Sequence, residues 1–294
     1  MRLSLTLKFN IVFLLIFAVG FAGTAYLTRN LLQHNAEDEI LQNARLLEES
    51  ALAVRGYTQA QIVPLLQTQM KYSFAPQSVP SFSATEYAGA LRTKFPDYAY
   101  KEATINPTNP RDRATEWETD VVQKLRSDPS ITEIVGQRDA ATGPSVYIAR
   151  PIRITDQACL ECHSTVDAAP KTMVAAYGPD NGFGWRLNDV IGAQITSVPT
   201  SLALGRAEKA FRSFITSFLT IFALVFVASN LMFYFTVTRR ISALSRAVDQ
   251  VSTGQMDVPI PSTRSRDEVG VLIASFERMR TSLASAMKMI DEHS

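Results

Sequence analysis

Two cysteines and a histidine, set close together, carry the clearest chemistry in this 294-residue chain. They are Cys159, Cys162 and His163, in the run Cys-Leu-Glu-Cys-His. Two thiols three positions apart, followed at once by an imidazole, form the C-x-x-C-H pattern of covalent haem attachment. The thiols bond to the haem vinyl groups and the imidazole ligates the iron on the proximal side. The sequence therefore predicts one covalently attached haem c, held by Cys159, Cys162 and His163.

Three other kinds of site use a C-x-x-C pair. A thioredoxin-like site is expected beside a βαβ pattern and has no need of the following histidine. A zinc site needs about four ligands, and His34 is the only further histidine or cysteine between the two apolar blocks described below. A disulfide across so small a loop would add little stability. Haem attachment is the interpretation that uses all three residues.

Few residues between the two apolar blocks could serve as the distal iron ligand. Both cysteines are used, and His34 lies a few residues beyond the first apolar block, near the membrane surface. Met70, Met173 or an open position remain, although a methionine more often serves core packing. We expect Met70, because Met173 is close to the motif on the proximal side. A methionine would favour redox sensing or electron transfer, and an open position would favour binding of a small gas.

Two uncharged blocks, residues 9–28 and 213–238, hold much of the apolar content. At about 1.5 Å per residue, each is long enough as a helix to cross a hydrocarbon core of about 30 Å. A signal peptide is the alternative for the first block, but its apolar run exceeds the usual length of about 7–15 residues. The sequence predicts two transmembrane helices over these residues.

Two membrane-spanning helices place both termini on one side and residues 29–210 on the other. Basic residues favour cytoplasmic termini for residues 1–8 and for the segment after the second helix, but basic residues at the two ends of the segment between the helices oppose this. Haem c is attached on the outer side of the cytoplasmic membrane, so we predict a periplasmic domain over 29–210. The opposing sets are Arg2, Lys8, Arg239 and Arg240 against Arg29, Arg206, Lys209 and Arg212.

Overall composition excludes two further classes of protein. The chain has 29 Lys+Arg and 28 Asp+Glu, so it lacks the basic excess expected of a protein that binds nucleic acid. Its two cysteines cannot build a disulfide-rich secreted scaffold.

Hydrophobic periodicity predicts an α+β domain between the membrane helices. Helical spacing continues over Asn35–Leu52, and Gln61–Met70 suggests a short helix. Five prolines between residues 76 and 110 argue against long helices there. Runs rich in β-branched and aromatic residues predict strands over Ser145–Ile154 and Val190–Val198. The pattern is helices first, then strands.

The segment after the second membrane helix resembles the HAMP signal-relay module over about 238–290. Two helical seams flank a connector, Gly254–Ser262, and Asp-Glu-Val-Gly precedes the second helix. The module departs from the common pattern in having Ser242-Ala243 where a proline is usual. One helix pair cannot bury both seams, so a parallel homodimer with a four-helix bundle is implied. The seams are Ile241, Leu244, Val248 and Val251, then Leu272, Phe276, Met279, Leu283, Ala286 and Ile290.

Residues 36–199 resemble the membrane-anchored c-type-haem sensor domains with a PAS-like fold. The resemblance rests on an ordered set of motifs: residues 100–113, Trp117-Glu118, 147–152, 159–163, Ala169-Pro170, Tyr177-Gly178 and 182–199. It implies haem roles for Cys159, Cys162 and His163. Arg111, Arg113 and Arg150 could pair with haem propionates, because a guanidinium suits carboxylates. At least one type in the family uses a distal cysteine, which this sequence lacks.

Together these features predict a non-enzymatic sensor in the bacterial cytoplasmic (inner) membrane. A redox change or a small gas would act on the periplasmic PAS-like domain, and the HAMP domain, residues 239–290, would relay the signal. Residues 291–294 form a tail with no output domain, so a cytoplasmic kinase or chemotaxis protein is the expected partner. The alternative is a membrane-anchored monohaem cytochrome for electron transfer, which has no use for a relay module.

Overall fold

The computed structural model describes residues 4–140, 143–260 and 266–291. The chain divides into two compact units, Asn30–Ala210, and Met1–Arg29 together with Phe211–Ser294. Residues 1–3 of the predicted N-terminus, Pro261 and Ser262 of the predicted connector, and residues 292–294 of the predicted tail lie outside the described residues.

The described residues form nine α-helices and four β-strands. The helices are α1 Leu5–Tyr57, α2 Val63–Leu66, α3 Pro80–Arg92, α4 Glu116–Ser127, α5 Ala158–His163, α6 Lys171–Tyr177, α7 Ser201–Phe233, α8 Arg239–Ser252 and α9 Glu268–Asp291. The strands are β1 Ala99–Thr104, β2 Ile134–Ala140, β3 Gly143–Arg153 and β4 Val190–Pro199. Short π-helical turns span Thr58–Ile62 and Tyr234–Thr238, and 3-10 turns span Gln69–Lys71, Pro76–Ser78 and Pro110–Asp112.

The four strands form one antiparallel sheet in the order β1-β4-β3-β2. Ala103 of β1 pairs with Ala193 of β4, and Ala149 of β3 pairs with Ile195. Because successive side chains point to opposite faces of a strand, each strand divides its residues between two helical layers.

Helix α4 covers one face of the sheet. Thr115 and Glu118 form a capping box at its start, which satisfies backbone N–H groups that the first turn leaves unpaired. The Glu118 carboxylate also accepts a hydrogen bond from the Lys101 ammonium at 2.7 Å, tying the helix start to β1. The core of this layer consists of Ala103, Val121, Val122, Leu125, Ala149, Val190, Ala193 and Ile195.

Helix α1 covers the opposite face with its residues beyond Asn30. Its small and aliphatic side chains recur at the helical spacing of four, Ala36, Ile40 and Ala44, and so form one continuous stripe. This stripe packs against Val146, Ile148, Val198 and Ala203. Close approach is possible because alanines place the helix backbone near the sheet.

In the second unit, apolar parts of α1 and α7 lie side by side. Each is long and apolar enough to cross a membrane. Phenylalanines spaced by four residues on each helix interlock, with Phe9 stacked on Phe233 at 4.7 Å between ring centroids and Phe21 tilted on Phe218 at 5.2 Å. The opposed numbering shows that the two helices run antiparallel.

Helices α8 and α9 share a small core with the connector between them. Leu244, Val251, Ile273 and Phe276 are buried there, with Met256, Val258 and Ile260 of the connector packed against them. Asp267 caps α9 by accepting the Gly270 N–H at 2.7 Å, and its other oxygen accepts from Arg240 at 2.6 Å. The acidic residue before α9 thus fixes the end of the connector on α8.

The mixed helix-and-sheet prediction is confirmed, and β3 and β4 lie within two residues of the predicted strands. Among the prolines, where no long helix was expected, α3 has 13 residues and starts on Pro80, whose fixed φ suits the first helical turn. The short helix predicted over Gln61–Met70 is divided between a π-helical turn, α2 and a 3-10 turn. Strands β1 and β2 were not predicted.

Candidate functional site

The short helix α5 carries both cysteines and the histidine of the Cys-Leu-Glu-Cys-His run. Asp156 fixes its start, since its side chain accepts the Ala158 N–H at 2.9 Å. Cys159 and Cys162 are free thiols, and both are partly buried. Burial raises the pKa of each thiol, and the neighbouring Asp156 and Glu161 carboxylates raise those of Cys159 and Cys162 respectively. Both residues are therefore held as neutral thiols.

The imidazole of His163 has a fixed tautomer. Its Nδ1 lies 2.7 Å from the carbonyl oxygen of Gly182. A carbonyl can only accept, so Nδ1 carries the proton and Nε2 keeps a free lone pair. Burial lowers the pKa of His163, although the Gly182 carbonyl partly opposes this. A neutral imidazole with a free Nε2 is the form that ligates a metal.

The loop 182–185 is bonded to the end of α5 through the main chain. The Gly184 N–H donates to the Ser164 carbonyl at 2.9 Å, and the Trp185 N–H donates to the His163 carbonyl at 3.1 Å. The indole of Trp185 then stacks on the imidazole, with 3.9 Å between ring centroids and 17° between planes. One face of His163 is thereby covered.

Glycine is required at position 182. Its φ is +85°, which side chains rarely adopt. A Cβ there would also collide with Thr108, whose hydroxyl lies 3.4 Å from His163 Nδ1. The absence of a side chain lets the Gly182 carbonyl approach the imidazole. The backbone N–H of Gly182 donates to the Asn106 side chain at 3.3 Å, so both backbone polar groups of this glycine are bonded.

A buried polar network links this region to α1. Arg55 of α1 forms an ion pair with Glu102 of β1, and the Tyr100 hydroxyl donates to the same carboxylate at 2.8 Å. Gln194 of β4 donates to the Tyr100 oxygen at 3.3 Å. Burial alone would lower the pKa of Arg55, but Glu102 raises it above its ordinary value. The Arg55 charge in turn lowers the pKa of Cys159, so it acts at the motif.

The predicted distal ligand, Met70, lies in the 3-10 turn Gln69–Lys71. Its sulfur accepts a hydrogen bond from Ser78 at 2.8 Å, and its carbonyl accepts one from Thr172 of α6 at 2.9 Å. Met173, the alternative, is 3% exposed in α6. Met70 is thus held against the helix that follows the motif, whereas Met173 serves core packing.

The three arginines considered for haem propionates have different surroundings. Arg111 pairs with Glu86 at 2.5 Å and lies over the Phe82 ring. Arg113 donates to the side chain of Asn181 at 3.3 Å, next to the Gly182 loop. Arg150 bonds protein carboxylates on the α1 side of the sheet, Glu49 at 2.6 Å and Glu133 at 3.1 Å. Of the three arginines, Arg113 is therefore the one that lies beside the loop 182–185.

Sequence reasoning missed the roles of three residues at this site, Thr108, Gly182 and Trp185. Gly182 and Trp185 are part of the run Gly-Phe-Gly-Trp that carries the family resemblance. The signal available was two glycines flanking an aromatic residue, which indicates a tight turn but does not identify its partner.

Comparison with known proteins supports the two resemblances. Residues 33–199 match the family model described as Tll0287-like, and residues 232–285 match that of the HAMP domain. No curated protein matches the chain. The chain is similar to the crystal structure of the cyanobacterial heme-protein Tll0287, at 16% identity and a TM-score of 0.41, over 55% of this chain and 95% of that one. The predicted family and the predicted HAMP module are confirmed.

Proposed function

Since the chain belongs to the Tll0287-like family and also contains a HAMP domain, we propose that it is a transmembrane haem-based sensor. Its sensory domain, residues 29–210, would hold one haem c, and its HAMP domain, residues 239–290, would pass the state of that domain to a cytoplasmic kinase or chemotaxis protein. A family match over more than half of the chain and a second match to a relay domain support this function. A membrane-anchored cytochrome would leave the HAMP domain without a role.

The residues of α5 fit the proposed cofactor. The two free thiols of Cys159 and Cys162 would hold haem by thioether bonds, and His163 would ligate the iron through Nε2. The observation that carries the proposal is the hydrogen bond from His163 Nδ1 to the Gly182 carbonyl, which leaves Nε2 unprotonated. When bound, haem supplies an iron that changes oxidation state or takes up a small gas.

Arg55 and Glu102 are our candidates for coupling the motif to α1. Arg55 lies on the helix that also contains the first apolar segment, and its charge acts on Cys159. A change of one unit of charge at the motif would alter the balance of the buried Arg55–Glu102 pair, because a low dielectric leaves it poorly screened. The helix would then favour a different position on the sheet.

We place the sensory domain in the periplasm of a bacterium and treat it as PAS-like. Two membrane-length helices on either side of it, followed by a HAMP domain, support the placement. An antiparallel sheet with helices on both faces supports the fold assignment. Alkaline phosphatase fused after Thr200 should be active, and the same enzyme fused after Asp291 should be inactive. The reverse pattern would refute this orientation.

We further propose a parallel homodimer. Within one chain the HAMP seams are only partly buried: Leu244, Val251 and Phe276 are covered, but other seam residues remain exposed. A second copy of the same helix pair would cover them, as expected for a four-helix bundle. The exposed seam residues are Ile241, Val248, Leu272, Met279 and Leu283. The Ile290 side chain lies outside the part of the chain that the structure describes.

Covalent haem attachment is tested on the full chain expressed with the haem-attachment machinery. Haem should stay with the polypeptide in a denaturing gel, and the alkaline pyridine spectrum should indicate one haem with two thioether bonds. The substitutions Cys159→Ser and Cys162→Ser should each remove one thioether bond. Glu161→Gln, an exposed position between them, is the matched control. A parent chain without covalent haem would refute the proposal.

The distal ligand is read from the ferric spectrum. Coordination by Met70 should give a weak far-red charge-transfer band, and Met70→Leu should remove it. Met173→Leu is the matched control and should retain it. A high-spin ferric spectrum in the parent would exclude Met70 and favour an open position.

Signalling is tested by fusing residues 1–294 to a kinase or chemoreceptor output and varying redox poise or nitric oxide. Output should change in the parent and be constant in Cys162→Ala. Identical output from both under every condition would argue against the sensor, and rapid electron exchange with a respiratory partner would favour the cytochrome.

A further inference from the structure

A cavity of about 550 Å³ lies beside the haem-attachment region at one end of the sheet. Its lining includes Phe183 and Trp185 of the loop 182–185, together with residues at the ends of β1, β3 and β4. Cys159, Cys162 and His163 are not among its lining residues. Trp185 lies between the motif and the cavity, since its indole stacks on His163 and also lines the cavity. The cavity is therefore distinct from the motif.

Two guanidinium groups give the cavity its charge. Arg126 of α4 donates through Nε to the Val190 carbonyl at 2.6 Å, and Arg153 of β3 donates to the Asn188 carbonyl at 3.0 Å. Each arginine is thus positioned by a backbone oxygen. Neither forms an ion pair with a carboxylate within residues 4–140, 143–260 and 266–291. Each keeps further N–H groups for a ligand, because a guanidinium has five.

The turn that holds Arg153 contains a residue, Asn188, in an unusual backbone conformation. Asn188 has a φ of +68°, a conformation that asparagine tolerates better than most residues. Its N–H donates to the Ile154 carbonyl at 2.7 Å, and its own carbonyl receives Arg153. The turn therefore directs a backbone acceptor at the guanidinium and fixes it at the cavity.

The remaining polar lining leaves an excess of positive charge. Asp189 is the one acidic lining residue, and its Oδ2 accepts the backbone N–H of Arg186 at 3.1 Å. Two guanidinium groups against one carboxylate favour an anion, and the Asn106 amide and the two aromatic rings add a polar contact and apolar walls. A guanidinium prefers a carboxylate, with which it can form two parallel hydrogen bonds.

We propose that this cavity binds a small organic carboxylate, with the acid group at Arg126 and Arg153 and the rest of the molecule against Trp185 and Phe183. The sensory domain then has a second input whose ligand lies one indole ring away from His163. None of its lining residues belongs to the attachment motif, so ligand binding can be measured separately from haem attachment.

The test is calorimetric titration of the full chain in detergent with benzoate and succinate. Benzamide and succinamide are the uncharged counterparts, and inorganic phosphate tests for unspecific anion binding. At least one of the two acids should bind, and neither amide nor phosphate should match it. Failure of both acids to bind, or equal binding of an acid and its amide or of phosphate, would overturn the proposal.

Arg153→Gln should weaken acid binding at least about tenfold, because hydrogen bonds to charged groups contribute that much. Arg92→Gln is the matched control: Arg92 is exposed on α3 and also donates to a backbone carbonyl, that of Pro96. Arg126→Gln could loosen α4, so its unfolding temperature is measured alongside. Acid binding unchanged in Arg153→Gln would refute the site. Heat of binding and haem absorbance are separate readouts, so this proposal and the haem proposal can fail independently.

Discussion

His163 and Gly182 lie nineteen residues apart in the chain, and the imidazole Nδ1 donates to the glycine carbonyl at 2.7 Å. Because Nδ1 is used in this bond, Nε2 is the ring nitrogen that is left to bind a ligand. It is possible because Gly182 adopts a positive φ beside Thr108. The histidine that is proposed to ligate iron is thus oriented by a residue whose only contribution is its backbone.

Gly182→Ala should destabilise the domain and reduce covalent haem content. The new Cβ would meet Thr108 and strain a backbone with φ of +85°, at a cost of about 1–3 kcal/mol. Unfolding temperature and haem absorbance per chain measure the two effects.

Gly184→Ala is the control for that substitution. Gly184 has a φ of +82° in the same loop, but a Cβ there meets nothing within 4 Å. It should therefore show backbone strain alone. Equal losses in the two variants would contradict the role given to the Thr108 contact.

Glu48 should make stability depend on pH. Its side chain is fully buried between α1 and the sheet, and neither oxygen has a hydrogen-bond donor at normal bonding distance in the part of the chain described. Arg150 Nε is 3.8 Å away, and Glu49, Glu133 and Thr196 also face the site. Burial raises the pKa of Glu48 to about 7, against the lowering effect of Arg150.

The direction follows from linkage. A carboxyl with a folded pKa of about 7 and an ordinary value of 4.5 holds its proton more tightly in the folded state. Its stabilising contribution is complete below the ordinary pKa and is lost as the pH rises from there through about 7, a change of about 3 kcal/mol. Glu48→Gln should remove most of the pH dependence of stability between about 4.5 and 7, and it should stabilise the protein above pH 7. Glu49→Gln, at the exposed neighbouring position, should retain the slope; an identical slope in parent and Glu48→Gln would exclude Glu48 as its source.

Arg55→Met should destabilise the sensory domain by about 3–5 kcal/mol, because it leaves the buried Glu102 carboxylate without its partner. The double substitution Arg55→Met with Glu102→Gln should recover much of that loss. Denaturant unfolding monitored by circular dichroism gives both values. A double variant as unstable as the single one would show that packing, rather than the unpaired charge, is responsible.

Cysteine cross-linking should detect the proposed dimer. Met279 and Leu272 are exposed by 58% and 53% in a single chain and lie seven residues apart on the seam of α9. Met279→Cys and Leu272→Cys should each give disulfide-linked dimers in membranes under mild oxidation. Arg278→Cys, off the seam, should give little. Equal cross-linking at all three positions would indicate random collision rather than a parallel bundle.

The sequence predicted those elements whose signal is local. Residues 9–28 and 213–238 carry unbroken apolar runs, and β3 and β4 are rich in β-branched residues because both are central strands. Strands β1 and β2 are at the edges of the sheet and have mixed polarity. In β1, Lys101 and Glu102 point to opposite faces and form ion pairs with Glu118 and Arg55. Such pairing is tertiary, so periodicity could not reveal it.

The same distinction applies to the candidate site. Cys159, Cys162 and His163 lie within five consecutive residues, so their spacing alone predicts haem attachment. Arg150 carries no local sign that its partners are Glu49 and Glu133, which lie 101 and 17 residues away from it in the chain. Gly182 and Trp185 likewise acquire their roles only when the loop returns to α5.

The loop 182–185 contacts His163 and the end of α5 mainly through its peptide groups. These are the Gly182 carbonyl and the N–H groups of Gly184 and Trp185, and the Trp185 ring is the exception. Peptide groups are the same whatever side chain they bear. Phe183 can therefore vary without disturbing His163, while its ring remains available to the neighbouring cavity. Residue 183 can therefore change the proposed cavity site without changing the orientation of His163, the residue proposed to ligate iron, so the two properties can diverge during evolution.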